Sequence, residues 1–222
     1  MPDISDFTSV YLREVGVHTP ASLLHSGAIS SEKSKVNVPS EGLEAMALQA
    51  SNCQQCGLCD TRKQVVFGAG KQDADVVFIV GAPDVDENAQ GEALVGSSGE
   101  LFDAMLASMD LTRQQVYVLH LVKCMTPKHR DPSQGEVSAC RSWLDQQLQM
   151  LQPRLVAVMG RTAAQGLLSS DASLDDMRGA WHTYQNIAVR VMCQPVYLMR
   201  SPEQKVKAWE DMQVMNQFLR TS

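Results

Sequence analysis

Short apolar runs alternate with amphipathic segments beyond residue 75, and this alternation constrains the fold more than any other feature of the chain. The runs are VVFIV (Val76–Val80), VYVLHLV (Val116–Val122), LVAVM (Leu155–Met159) and IAVRVMC (Ile187–Cys193). They are apolar along most of their length, as strands buried on both faces are, and the segments between them follow helical spacing. The pattern predicts a three-layer α/β/α sandwich with a central four-stranded parallel sheet.

Start signals predict where the helices of this sandwich begin. Ser97 and Ser133 each stand three residues before a glutamate, which is the spacing of a capping box. Further helices are predicted from about Glu41 to Ala50, from about Thr162, and after Ser201, which would cap a last helix that has a proline in its first turn. Ligands of such folds bind at the carboxyl ends of the strands, so site residues should follow the apolar runs.

The chain divides into three predicted parts. Residues 1–25 have an apolar stripe at helical spacing and are predicted to form a partner-binding helix. Residues 26–40 (SGAISSEKSKVNVPS) have little to bury, which predicts a flexible linker. Residues 41–222 are then the folded domain. The stripe consists of Ile4, Phe7, Tyr11 and Val15.

Charge and composition exclude some function classes. The net charge of −6 argues against a strongly basic nucleic-acid surface, although the loop KCMTPKHR could contact phosphates weakly or simply be solvated. No apolar run is long enough to span a bilayer, so no membrane partner is expected. The first residues, MPDISDF, lack the apolar region of a secretory signal, and we expect a cytoplasmic protein, in which structural disulfides are rare.

The cysteines therefore suggest a metal centre. Cys53 and Cys56 have the two-residue gap of a shared metal site, and Cys124 and Cys140 follow the second apolar run. Four thiolates can hold a zinc ion or an iron–sulfur cluster, and the wide spacing of the second pair slightly favours a cluster. The alternative is that the cysteines are buried and bind nothing. The remaining two are expected to be small buried hydrophobic residues: Cys59 and Cys193.

Several segments also carry a family resemblance. In chain order they are CQQCGLCDTRKQVVFGAG, VGAPDVDENAQGEALVGSSGELF, YVLHLVKCMTPKHRDP, LVAVMGRTAA, MRGAW and QPVYLMR. Together they resemble the iron–sulfur uracil-DNA glycosylases of family 4 over residues 53–219. The resemblance implies the uracil-DNA-glycosylase fold, a role in DNA repair or replication, and a 4Fe-4S cluster. The cluster ligands that it implies are Cys53, Cys56, Cys124 and Cys140.

The same resemblance predicts a degraded catalytic pocket. The family's water-activating glutamate and stacking phenylalanine are here Gly81 and Leu94, and its base-reading asparagine and leaving-group histidine are His120 and Gln194. Asp84, in place of a family glycine, could replace the lost carboxylate or be a turn residue. We expect a protein that is not catalytic; the alternative is an active glycosylase that excises uracil or another deaminated base. Basic residues that the resemblance places near DNA are Lys123, Lys128, Arg130 and Arg200.

A second, shorter resemblance concerns the N-terminal region. The run YLREVGVHTPASLLHSGAI (Tyr11–Ile29) resembles the N-terminal peptide of the psi subunit of bacterial DNA polymerase III. It implies a non-catalytic accessory role, with clamp-loader and chi-type subunits as partners. The alternatives are a helix that packs on its own domain and a DNA-damage-binding protein without turnover. The predicted partner contacts are Phe7, Tyr11, Leu12 and Val15.

Overall fold

The computed structural model of the protein describes residues 40–221. The predicted partner-binding helix and all but the last residue of the predicted linker lie outside the described residues. The partner contacts expected in that helix lie outside them too: Phe7, Tyr11, Leu12 and Val15. The described part of the chain begins with a helix at Ser40.

A six-stranded mixed sheet forms the centre of the described part. Its strands are β1 (Ala69–Gly70), β2 (Val76–Val80), β3 (Tyr117–His120), β4 (Leu155–Met159), β5 (Trp181–Tyr184) and β6 (Ile187–Met192). Their order is β1-β3-β2-β4-β6-β5. The inner four are parallel, which confirms the predicted four-stranded parallel sheet, whereas the sequence did not predict the antiparallel edge strands β1 and β5.

Helices cover both faces of the sheet. They are α1 (Ser40–Ser51), α2 (Val85–Gln90), α3 (Gly96–Ala107), α4 (Gln134–Leu151), α5 (Arg161–Leu168), α6 (Leu174–Met177), α7 (Pro195–Arg200) and α8 (Lys205–Thr221). Strand side chains alternate between two cores: Val77 and Ile79 pack with α1, α4 and α5, and Val76 and Phe78 pack with α3, α7 and α8. The predicted three-layer sandwich is confirmed. No helix within residues 40–221 has the length and apolar character needed to cross a membrane.

Two of the predicted helix starts are wrong. Ser133 caps α4 and forms a capping box with Glu136, as predicted. Ser97 does not cap α3: the helix already begins at Gly96, and no side chain caps it. Ser201 likewise makes no side-chain cap, and it precedes a short 3₁₀ turn before α8 begins.

A buried ion-pair cluster joins α8 to the sheet. Arg178 Nη2 lies 2.6 Å from Asp211 Oδ2, and Arg190 Nη2 lies 2.9 Å from Asp211 Oδ1. Asp211 belongs to α8 and is buried, while Arg190 belongs to β6. One carboxylate thus binds two arginines from separate parts of the chain.

Candidate functional site

A cleft opens where the strands β2, β3 and β6 end. It is lined by the segment after β2, by the end of β3, by the loop before α4 and by the start of α7. This is the edge at which parallel sheets bind ligands. The structure brings all of the altered pocket positions together in this cleft: Gly81, Asp84, Leu94, His120 and Gln194.

Glu87 is the central residue of the cleft. Its Oε2 accepts a hydrogen bond from the Asp84 backbone N–H at 2.7 Å and lies 3.3 Å from His120 Nε2. Its Oε1 accepts from the Leu94 backbone N–H at 2.6 Å. Burial raises the pKa of the Glu87 carboxyl, but the hydrogen bonds from His120 and from the Asp84 and Leu94 backbones outweigh burial and leave the pKa below its usual value. Glu87 is therefore a carboxylate that holds the cleft loop together.

His120 is closed off from solvent. Its side chain has 0% exposure, and a carboxylate can only accept, so Nε2 carries the proton that it shares with Glu87. In the neutral imidazole Nδ1 is then an acceptor, and it is buried with no hydrogen-bond partner. The position to which the family resemblance assigns base reading is thus occupied by a buried ring that is already paired.

Asp84 caps the short helix α2. Its Oδ1 accepts from the Glu87 backbone N–H at 2.9 Å, and the Glu87 side chain returns a bond to the Asp84 N–H, which completes a capping box. This geometry favours the turn interpretation of Asp84 over a replacement for the lost carboxylate. Neither α2 nor the role of Glu87 was predicted from the sequence, although the D-x-x-E spacing of the stretch DVDE was a signal for them.

Leu94 fills the floor of the cleft in a strained conformation. Its φ is 53°, in the left-handed region, where a residue other than glycine carries a penalty of roughly 1–2 kcal/mol. Glu87 binds its N–H, and Arg113 Nη2 donates to its carbonyl at 2.6 Å. These bonds hold a buried aliphatic side chain at the position to which the family resemblance assigns base stacking.

Gly81 and Gln194 lie on opposite sides of the cleft. A Cβ placed on Gly81 would have Thr162 Cβ as its nearest neighbour, at 3.9 Å, so a side chain has room there. Gln194 packs against Gly160. A side chain at Gly160 is disfavoured twice: its φ of 92° is in the left-handed region, and its Cβ would lie 3.0 Å from the Gln194 amide oxygen. Neither position supplies an ionisable group.

The basic residues expected near DNA separate into two groups. Lys123 is only 2% exposed, so its assignment to an exposed basic loop is wrong. Lys128, Arg130 and Arg200 are exposed, and the two arginines line the cleft. Arg130 also pairs with Glu136, its Nη2 lying 2.6 Å from Oε1.

A cysteine cavity lies beside the cleft, and four of the six cysteines line it: Cys53, Cys56, Cys124 and Cys140. The first two stand between α1 and a 3₁₀ turn (Gly57–Asp60), the third follows β3, and the fourth belongs to α4. Three of the sulfurs accept hydrogen bonds: Trp143 Nε1 to Cys53 at 3.4 Å, Arg62 Nη1 to Cys124 at 3.5 Å and the Lys123 N–H to Cys140 at 3.4 Å.

The lining of this cavity offers the four sulfur ligands that a metal centre would need. Within the described part of the chain, no three histidine, cysteine or acidic side chains come close enough to hold one ion. Four cysteines around one cavity, with hydrogen bonds to their sulfurs, are the surroundings that iron–sulfur clusters have. Burial raises the pKa of Cys124 to about 11, so a thiolate there needs the compensating charge that iron would bring.

The two remaining cysteines lie outside this cavity. Cys193 is buried in the core beside α7 and α8, as predicted. Cys59 is partly exposed and its thiol faces Asp60 Oδ1 at 3.4 Å, so the prediction that it is a buried hydrophobic residue is wrong. The 3₁₀ turn explains the difference, because it buries Leu58 and leaves Cys59 at the surface.

Comparison with known proteins agrees with this geometry. The family pattern "Uracil DNA glycosylase superfamily" matches residues 67–213, a region that includes Cys124 and Cys140 and the cleft. The chain is 38% identical over 125 residues to the type-4 uracil-DNA glycosylase of Archaeoglobus fulgidus, an alignment that covers 56% of this chain and 63% of that protein. It is 30% identical over 162 residues to the type-4 enzyme of Saccharolobus solfataricus, covering 71% and 75%.

Proposed function

The chain belongs to the uracil DNA glycosylase superfamily, and from this premise we propose that it is a DNA-repair protein with a 4Fe-4S cluster that does not excise uracil. The single observation that carries the proposal is the state of His120. A glycosylase has to take an extruded base into its pocket and pair with the base edge. Here the base-reading position is a ring with 0% exposure, paired with Glu87.

The other altered positions support the same conclusion. Gly81 has no side chain to orient water, and the Asp84 carboxylate is engaged in a helix cap. The Gln194 amide is neutral and stabilises a departing anionic base less well than an imidazolium does. Loss of one general acid–base group, or of one donor that stabilises developing negative charge, lowers the rate by roughly a hundredfold or more. The combined losses should therefore leave no detectable turnover.

Cys53, Cys56, Cys124 and Cys140 would hold the cluster. When bound, the cluster would supply iron that offsets part of the charge of the four thiolates, and it would join the segment after α1 to the segment after β3 and to α4. Within residues 40–221 no residue lines both the cysteine cavity and the cleft, so we assign the cluster no part in the chemistry of the cleft.

A second candidate function is excision of a deaminated base other than uracil. The observation that favours it is the unpartnered Nδ1 of His120, an acceptor that could bind a ring N–H if the cleft opened. This candidate needs a conformation in which the Glu87 loop moves away from His120. A panel of single-lesion oligonucleotides that includes hypoxanthine and xanthine separates it from the first proposal.

An accessory role in replication is the finer form of the first proposal. It is supported by the resemblance of Tyr11–Ile29 to a psi-subunit peptide and by the altered pocket. Co-purification of the tagged chain from its own cells tests it, with Phe7→Ala/Tyr11→Ala as the matched variant. Recovery of clamp-loader subunits with the wild type but not with the variant is expected; equal recovery with both would contradict a role for this peptide.

The main test is an excision assay on DNA that contains one uracil. Anaerobically purified protein that carries iron should release no uracil, while a type-4 relative assayed in parallel releases it. Equilibrium binding of the same DNA without cleavage, weakened by salt, is expected because Arg130 and Arg200 remain exposed at the cleft. Robust uracil release that His120→Ala abolishes would overturn the proposal.

A further inference from the structure

Lys123 lies between the cysteine cavity and the cleft and contacts both. Lys123 is among the residues that line the cavity, and its Nζ donates to the backbone carbonyl of His120 at 2.6 Å. Its backbone N–H donates to Cys140 Sγ at 3.4 Å. One buried residue therefore binds Cys140, a predicted cluster ligand, with its backbone and the carbonyl of His120, in the cleft, with its side chain.

The ammonium group of Lys123 has an unusual set of neighbours. It is 2% exposed, and among the described residues no acidic side chain forms an ion pair with it. Cys124 and Cys140 line the same cavity as Lys123. A buried cation without a counter-charge is strongly unfavourable, so the thiolates of a loaded cluster are its natural partners.

We propose that Lys123 is a positioning residue that couples the cysteine cavity to the closed cleft. The backbone N–H of Lys123 binds the sulfur of Cys140, the ammonium group of Lys123 holds the His120 carbonyl, and the fixed end of β3 keeps the His120 ring against Glu87. The inference rests on the proposed function, in which a cluster fills the cavity. Its consequence is that cluster loss loosens the cleft, so occupancy of one site controls access to the other.

Arg62 provides a matched control. It also contacts a cysteine sulfur, that of Cys124, but its second hydrogen bond goes to the Ser51 carbonyl, at 2.9 Å, and not to the cleft. Replacing either cation by methionine removes a positive charge next to the cavity. Only the replacement of Lys123 also removes the bond to His120.

Hydrogen–deuterium exchange of the full chain tests the coupling. Exchange is compared before and after iron is stripped by a chelator, in the wild type, Lys123→Met and Arg62→Met, for peptides covering residues 84–95 and 117–124. Peptides from α8 serve as the internal reference. In the wild type, stripping should speed exchange severalfold in the two cleft peptides and leave α8 unchanged. In Lys123→Met the cleft peptides should already exchange fast with iron bound, whereas Arg62→Met should behave like the wild type.

Each other outcome counts against the inference. Unchanged exchange at residues 84–95 after stripping would show that the cavity and the cleft are independent. Equal acceleration in α8 would show that the cluster stabilises the whole domain and that Lys123 makes no specific link. If Lys123→Met fails to retain iron, the exchange rates of the wild type with and without iron still show whether the cavity and the cleft are coupled. Absence of iron from the anaerobic protein would overturn both this inference and the cluster proposal, whereas iron without coupling overturns this inference alone.

Discussion

Glu87 Oε2 and His120 Nε2 lie 3.3 Å apart, and both side chains are buried although each can carry a charge. The pair joins a short helix after β2 to the last residue of β3, so two loops that could separate to admit a ligand are held at one point. Glu87 binds two backbone N–H groups as well, and these lose their acceptor if the carboxylate is removed.

Glu87→Ala should therefore lower the free energy of unfolding by about 3 kcal/mol or more, because three donors lose their acceptor at roughly 1–3 kcal/mol each. Urea denaturation followed by circular dichroism measures the change. Glu92→Ala, an exposed glutamate in the same loop, is the control and should stay within about 0.5 kcal/mol of the wild type. A loss for Glu87→Ala no larger than that of Glu92→Ala would mean that Glu87 does not hold the loop.

Gly81→Glu should fold normally and still fail to excise uracil. The site has room for a side chain, so the midpoint of thermal unfolding should change by only a few degrees, roughly what 1 kcal/mol produces in a domain of this size. Excision should stay undetectable because His120 remains buried. Substantial uracil release by this variant would show that the missing carboxylate alone inactivates the pocket.

Serine substitutions should divide the cysteines into two sets. Replacement of Cys53, Cys56, Cys124 or Cys140 should remove the iron and the brown colour of the anaerobic protein, because each would lose a cluster ligand. Cys59→Ser should retain both, since its thiol faces Asp60 instead of the cavity. Iron content measured beside the visible spectrum checks the division, and stoichiometric zinc in place of iron would contradict the cluster assignment.

The stability of the domain at acid pH should depend on Glu136. Hydrogen bonds from Arg130 lower the pKa of Glu136 to about 2, against about 4.3 for an unperturbed glutamate. A depressed folded-state pKa means that the contribution is complete above the unfolded-state pKa and is lost as the pH falls toward the folded-state value. Glu136→Gln keeps a residue that can complete the capping box but removes the charge. The difference in melting temperature between the wild type and this variant should be constant from about pH 7 to 5 and shrink below about pH 4.5.

The sequence predicted the parallel strands, the two-sided packing and the clustering of cysteines, because these depend on local periodicity and on where strands end. It did not predict the edge strands. β1 has two residues, too few to show a period, and β5 is half exposed at the sheet edge. Strand prediction depends on a run or alternation of apolar residues, and β1 is too short and β5 too exposed to show one.

Glu87 and Lys123 show a different limit of sequence reasoning. Both are charged and lie in stretches that look like surface loops, and both are buried. Their burial depends on partners that are not their neighbours along the chain, His120 for Glu87 and Cys140 for Lys123. A pattern of neighbours along the chain contains no information about such pairs, and charge alone predicts exposure.

The two arginines that share Asp211 have a consequence for biosynthesis. Arg178 and Arg190 are made before the carboxylate that neutralises them, which belongs to the last helix of the described chain. Until that helix is synthesised, closing the sheet would bury Arg190 without a counter-charge and leave Arg178 only the exposed Asp175, at 3.9 Å, which costs several kcal/mol. A nascent or truncated chain that ends before residue 205 should therefore stay open on this face, exposed to proteases and chaperones, and the final helix sets the moment at which the domain becomes native.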